Sequence, residues 1–168
     1  DLYQELRRFD EAIALRRTLL EESGTDEAKS GLIGALFAAG RLDEALKLLE
    51  EPTGEASLAR LSSRVLRARI LFRLGRVEEA AEAAQKLLQE EPHLDAALAL
   101  ASRIRALQGG PAPEIARLRK ALTDAPDPDR LVETRLVLAG LLLSESRRSE
   151  AVEVHLRLPE AGDLVFHG

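Results

Sequence analysis

The sequence predicts an all-α chain: a solenoid of helix–turn–helix repeats, about five units and about ten helices long. Three observations predict it. First, the apolar residues are mostly Leu and Ala, aromatics make up only 3%, and Trp, Met and Cys are absent. That mix suits helices whose axes approach closely. A β-sandwich would draw on Val, Ile, Thr and aromatics instead. Second, helical stretches are divided by Gly and Pro at short, regular intervals, with no convincing strand between them. Third, one phrase recurs. Gly75-Arg76-Val77-Glu78-Glu79-Ala80 reads as a helix stop, a tight turn and a helix start. It returns as Gly40-Arg41-Leu42-Asp43-Glu44-Ala45. With other residues at the glycine it returns as Arg7-Arg8-Phe9-Asp10-Glu11-Ala12 and Ser146-Arg147-Arg148-Ser149-Glu150-Ala151.

The alanine closing each phrase sets the period. Ala12, Ala45 and Ala80 recur at about 34 residues, and Ala80 to Ala151 spans about two such intervals. The unit without the phrase falls at Ile115-Ala116. Units that repeat at this length bury their apolar faces only against their neighbours.

The elements follow in order. Leu2–Leu6 looks like the cut end of a longer helix leading into the first turn phrase, and Phe9–Glu22 follows, ended by Gly24. Asp26–Ala39 is next, with Asp26 as N-cap and Gly40 as stop. Gly31 and Gly34 inside it each cost roughly 1 kcal/mol relative to Ala, which suggests a neighbour that must come close. Leu42–Glu51 is short and ends at the breaker Pro52-Thr53-Gly54. Ala56–Leu74 is long, with an apolar stripe Leu58, Leu61, Val65, Ala68, Phe72 on one face. Val77–Glu90 follows, then His93–Gln108, with Pro92 at its first turn. Gly109-Gly110-Pro111-Ala112-Pro113 reads as the most loop-like stretch before Glu114–Thr123. Asp127 and Pro128, as N-cap and first residue, open the helix Asp129–Glu145. Glu150–Leu158 is last, stopped by Pro159. Residues 159–168 carry no helical pattern.

Composition narrows the function. The chain has 168 residues and a net charge of −5, where a general nucleic-acid binder would show a basic excess. Without Cys there is no disulfide, thiolate metal site or cysteine nucleophile. No apolar run approaches the roughly 20 residues of a membrane span. The first residue is Asp1 rather than Met, as in a processed product or excised fragment, so a targeting segment before it stays open. Otherwise a cytoplasmic location is expected. The excess of Arg over Lys hints at a GC-rich, bacterial genome.

No arrangement of residues suggests chemistry. His93, His155 and His167 are scattered and read as surface residues. Glu78-Glu79 and Glu90-Glu91 are adjacent on helices, so their carboxylates do not face each other. Gly109-Gly110-Pro111 has neither a strand before it nor a Lys-Ser/Thr after it, and so is not a phosphate loop. No cofactor, metal or catalytic residue is expected. Charge is more informative. Between Ala56 and Leu74 stand Arg60, Arg64, Arg67, Arg69 and Arg73 without an acid, whereas Glu78, Glu79, Glu82, Glu90 and Glu91 follow in the next helix.

Ala68, Gly75, Ala80 and Pro92 stand where the tetratricopeptide repeat places its small residue of helix A, its turn glycine, its small residue of helix B and its terminal proline. Ala139, Ser146 and Ala151 repeat the first three, and Gly40 and Ala45 match in the second unit. The chain thus resembles the tetratricopeptide repeat family over nearly all of 1–158. The resemblance implies a right-handed superhelix with units at about 1–24, 25–52, 55–91, 93–125 and 127–158. It also departs from the family: the usual helix A aromatics are missing, and Arg64 and Arg67 take usually apolar positions.

In that family the A helices line a concave groove. Counted back from the turn glycine, Ser62, Val65, Arg69, Phe72 and Arg73 take groove positions, as do Phe37 and, counted from Gly109, Arg103. Ser30, Gly34 and Ala38 join them in the second unit; Leu136, Gly140, Leu143 and Ser144 in the fifth. The arginines would grip an acidic peptide or a C-terminal carboxylate, or else pair with glutamates of neighbouring helices. Val65 and Phe72 lie on the apolar stripe as well as at groove positions, so either the groove is apolar there or the helix is rotated and they are core. Leu164-Val165-Phe166 is a candidate cap for an open end, or a contact with a second copy.

The expected function is therefore a non-catalytic protein–protein interaction scaffold that binds a peptide or partner domain, and homodimerises through an open end. The alternative is a targeting or regulatory region of a larger multidomain protein: a thioredoxin-fold co-chaperone, a signalling regulator or an enzyme.

Overall fold

A computed structural model describes residues 2–51 and 61–156, with side chains at 8–51 and 61–155. The Pro52-Thr53-Gly54 breaker, the helix start at Ala56 with Leu58, and Leu158, Pro159 and the Leu164-Val165-Phe166 tail lie outside the described residues. Among the described residues there are nine α-helices, one short 3-10 turn and no strand. The helices are α1 Leu2–Ser23, α2 Asp26–Ala38, α3 Leu42–Glu50, α4 Leu61–Arg73, α5 Val77–Glu90, α6 Asp95–Gly109, α7 Pro111–Asp124, α8 Val132–Ser144 and α9 Arg148–Leu156. The chain divides into two compact units, Asp1–Ala83 and Ala84–Gly168, with the boundary inside α5.

In the first unit α1 packs on α2, α2 on α3 and α3 on α4. Ile13, Leu36, Leu49, Ile70 and Leu71 are its largest fully buried side chains. In the second unit α6 packs on α7 and α8, α7 on α8, and α8 on α9. Ile115 and Leu118 of α7 meet Leu138 and Leu142 of α8 in its core.

The recurring phrase folds the same way three times. Gly40, Gly75 and Ser146 adopt positive φ, at 76°, 78° and 61°. The N–H of the next residue reaches back to the helix: Arg41 to Leu36 O, Arg76 to Leu71 O and Arg147 to Leu142 O, each at 2.9 Å. The N–H groups of Gly40, Gly75 and Ser146 reach Phe37 O, Phe72 O and Leu143 O at 3.2, 3.1 and 3.0 Å. This pair of bonds is the Schellman arrangement, which satisfies carbonyls a helix end would leave open. The following Ala45, Ala80 and Ala151 are buried.

Several elements differ from the sequence-based expectations. The first phrase makes no turn, and α1 runs straight through it. Its stop position holds Arg7, which gains nothing from a left-handed backbone, while Glu, Leu, Arg and Ala continue a helix readily. The Gly109–Pro113 stretch is not a loop. Gly110 alone links α6 to α7 with φ 84°, and Pro111 opens α7 at its first position, where the missing N–H costs nothing. The fourth repeat therefore sits at Gly110, about 35 residues after Gly75, with Ile115 buried in the alanine position and Ala116 exposed.

Helix starts differ too. Thr25, not Asp26, caps α2, its Oγ1 accepting from the Ala28 N–H at 3.2 Å. Pro92 lies in the turn before α6, whose N-cap is Leu94. Asp127 does not cap a long helix. A 3-10 turn, Pro128–Arg130, precedes α8, and the cap comes from Asp95 at the start of α6. Its two carboxylate oxygens accept the N–H groups of Glu133 and Thr134, each at 2.7 Å. Of the two glycines in α2, only Gly31 has a close neighbour. A Cβ there would lie 2.8 Å from Arg16 Nη1, whereas one on Gly34 meets nothing within 4 Å.

Candidate functional site

Each of the three turns carries an ionic clasp that follows from its spacing. Arg41, Arg76 and Arg147 follow the left-handed residue, and a glutamate stands three positions later on the new helix. Arg41 Nε donates to Glu44 at 2.5 Å, Arg76 Nε to Glu79 at 2.6 Å and Arg147 Nε to Glu150 at 2.7 Å. The glutamates sit in the first turn, where a negative charge is favoured. Hydrogen bonding from the arginine holds the Glu44 and Glu79 carboxyls below their ordinary range. Glu150 also accepts from Arg119 of α7, and the two guanidiniums draw its pKa down to about 2.

The Gly110 turn keeps the glutamate and loses the arginine. Pro111 occupies the arginine position, and Glu114 is buried. Arg105 Nε reaches it from α6 at 3.0 Å and Arg117 Nη1 from the next turn of α7 at 2.7 Å. Arg105 also donates to the buried Ser102 hydroxyl at 3.2 Å. Among the described residues no buried side-chain nitrogen or oxygen lacks a partner.

Within the first unit the structure brings Phe37 and Arg73 together. The Arg73 guanidinium carbon stands 4.8 Å from the Phe37 ring centroid. Its Nη1 donates to Phe37 O at 3.0 Å, a carbonyl that also accepts the Gly40 N–H. A cation thus sits at the C-terminal end of α2, where the helix dipole favours it. Arg73 remains exposed, with further N–H donors. Ser62 is exposed, and Val65, Arg69 and Phe72 are half-buried on α4. The stripe through Val65 and Phe72 is not the centre of the core. Ala68, Ile70 and Leu71 are the fully buried residues of α4, so the helix is not rotated to make Val65 and Phe72 core. Ser30, Gly34 and Ala38 lie exposed along one side of α2.

The arginine-rich helix is partly engaged within the unit. Arg67 pairs with Glu50 of α3 at 3.2 Å, and Arg64 and Arg69 also have partners. Arg60 lies outside the described residues. In the second unit Arg103 is exposed on α6 and makes no ion pair among the described residues. Leu107, one turn on, is 71% exposed. Leu136, Gly140, Leu143 and Ser144 form an exposed face of α8. A cavity of about 670 Å³ lies between α7, α8 and α9, lined by Leu122, Leu138, Val154, Arg119, Arg135 and Glu150.

The clasps were visible in the recurring phrase as an Arg and a Glu at fixed spacing. The cavity, the Asp95 cap and the Glu114 cluster were not, because each joins residues from separate helices.

The chain is similar to TTC0263, a thermophilic TPR protein of Thermus thermophilus, over 93% of this chain and 84% of that one, with a TM-score of 0.64 and 22% identity. The chain has the tetratricopeptide-repeat fold. It is similar to MamA over 94% of this chain and 92% of that one, with a TM-score of 0.56 and 15% identity. It is also similar to YrrB, described as a TPR protein with an unusual peptide-binding site, over 93% and 79%, with a TM-score of 0.51 and 14% identity. No protein-family model and no curated protein matches the sequence. Among the described residues no helix of this tetratricopeptide fold is long and apolar enough to cross a membrane.

Proposed function

We propose that the chain is a non-catalytic interaction scaffold whose first unit takes an acidic peptide, or a partner's C-terminal carboxylate, along the exposed sides of α2 and α4. Arg73 carries the reading. Its guanidinium is held by the Phe37 ring and carbonyl, yet stays exposed with donors to spare. An arginine fixed in advance loses little freedom on binding, and its fork suits a carboxylate. Ser30, Gly34 and Ala38 leave room beside it for a peptide backbone. Ser62, Val65, Arg69 and Phe72 extend the surface along α4. The description of YrrB as a peptide binder is consistent with this use of the fold.

Fluorescence anisotropy with labelled peptides ending in Asp or Glu tests it. The native chain should bind a subset of them. Arg73→Glu with Arg69→Glu should abolish that binding while the circular dichroism stays helical. Equal binding by the double variant, or no binding by the native chain, rejects the proposal.

A further inference from the structure

The cavity of the second unit has no part in the peptide surface on α2 and α4. It lies between α7, α8 and α9, and its volume of about 670 Å³ falls in the range of small-molecule sites. Its origin lies in the connection before α8. Residues 125–131 make a longer link than residues 91–94, and they carry the 3-10 turn Pro128–Arg130, whose proline lines the cavity. α8 packs on both helices of the hairpin before it, α6 and α7. A hairpin following α9 would pack on α8 and α9 by the same pattern, away from α7, and would leave the cavity in place.

Part of the lining is apolar: Leu122 of α7, Leu138 of α8 and Val154 of α9. The charged part is uneven. The Arg135 side chain is only 8% exposed, whereas Arg119, Glu150 and Glu153 reach water. Glu150 is already held by Arg119 and Arg147, and Glu153 also has a partner. A charge shielded from water acts on its surroundings more strongly than a hydrated one, so Arg135 decides the sign of the ligand. Its Nη2 donates to Asp129 Oδ1 at 2.8 Å. Asp129 stands on the 3-10 turn, and its side chain is 84% exposed. A carboxylate so fully hydrated loses little when it lets go. The guanidinium fork suits a carboxylate arriving from the cavity instead.

We infer that this cavity binds a small amphipathic carboxylate, its head on Arg135 in exchange for Asp129 and its apolar part against Leu122, Leu138 and Val154.

Octanoate tests the inference, with octanol and octylammonium as neutral and cationic counterparts. Binding is read by NMR titration of the 168-residue chain with labelled Leu and Val methyls. Octanoate should shift the methyls of Leu122, Leu138 and Val154 and bind at least about tenfold more tightly than either counterpart. Arg135→Gln should erase that preference. Arg135 is buried, so a second variant guards against loss of the fold. Asp129→Asn removes the competing carboxylate at an exposed position and should tighten octanoate binding at least about threefold, leaving octanol unchanged. A merely structural Arg135–Asp129 pair would not improve binding when broken. Absence of octanoate binding overturns the proposal, as does octanol binding equally well or an Asp129→Asn chain that binds no more tightly. Binding gained only in a chain with Leu164→Ser, Val165→Ser and Phe166→Ser would assign the cavity to the chain's own residues and overturn it too.

Discussion

Adding a methyl group at four glycines gives three different outcomes that geometry alone predicts. Gly34 lies within α2 and Gly140 within α8, both exposed, and a Cβ at either meets nothing within 4 Å. Ala in a helix interior is favoured over Gly by about 1 kcal/mol, largely through the reduced freedom of the unfolded chain. Gly34→Ala and Gly140→Ala should each raise stability by about that much. For a chain of this size that corresponds to roughly 2–4 °C in Tm. The two sites share no contacting atoms, so the double variant should gain about twice as much. Gly31→Ala puts its Cβ 2.8 Å from Arg16 Nη1. The flexible arginine must move aside, and the net change should be near zero. Gly75→Ala forces a side chain into φ 78° and should lower stability by about 1 kcal/mol. Thermal melts followed by circular dichroism read all four. A fall in Tm for Gly34→Ala or Gly140→Ala refutes the reasoning, as does a gain at Gly31 equal to that at Gly34. Gly34→Ala should also weaken any peptide held beside Arg73, because its cost falls on the bound state.

Ser146 holds φ 61° without being glycine, so Ser146→Gly should stabilise by about 1 kcal/mol in urea unfolding; no gain would mean the serine is unstrained. Asp95→Ala strands the N–H groups of Glu133 and Thr134 and should cost about 2 kcal/mol with an unchanged m-value, whereas a loss below about 0.5 kcal/mol would contradict its capping role. Glu114→Gln sets an amide NH2 among arginine donors and should destabilise by about 1–3 kcal/mol; Glu114→Leu should cost less, since Arg105 and Arg117 can turn to water, and the opposite order in urea unfolding would refute this. Glu150 is drawn from an ordinary 4.5 to about 2 on folding, so the stability it contributes is present above about 4.5 and lost as pH falls from there through about 2. Carbon NMR of its carboxyl should titrate near 2, and Arg119→Gln should move the midpoint upward; an unmoved midpoint would exclude Arg119 as a cause.

The repeat was legible wherever it is encoded locally. Gly40, Gly75 and Ser146 mark turns because a helix stop, a left-handed residue and a new helix start are properties of consecutive residues. The same logic misread Arg7, where the phrase lacks the one residue that could stop α1. At Gly109–Pro113 it took two prolines for a loop, although the first turn of a helix accepts them. What the sequence could not show joins residues far apart. Asp95 caps a helix that begins at Val132, and Arg73 settles on a ring and carbonyl 36 positions away. Repeat counting singled out Arg73 as a candidate, but did not show its anchoring on Phe37. Nor does position alone show that Arg67 is already matched by Glu50.

The three clasped turns have a consequence for how such a chain can change length. Gly40 and Gly75 begin the same pattern of backbone bonds, ionic pair and buried alanine. The stretch from Gly40 to Leu74 therefore starts and stops at equivalent points. A tandem copy of it joins with a native turn at its seam, because Leu74 is again followed by a glycine and an arginine. Growth or loss of one whole unit is thus a small step for this gene, whereas an insertion between the arginine and glutamate of a turn breaks its clasp.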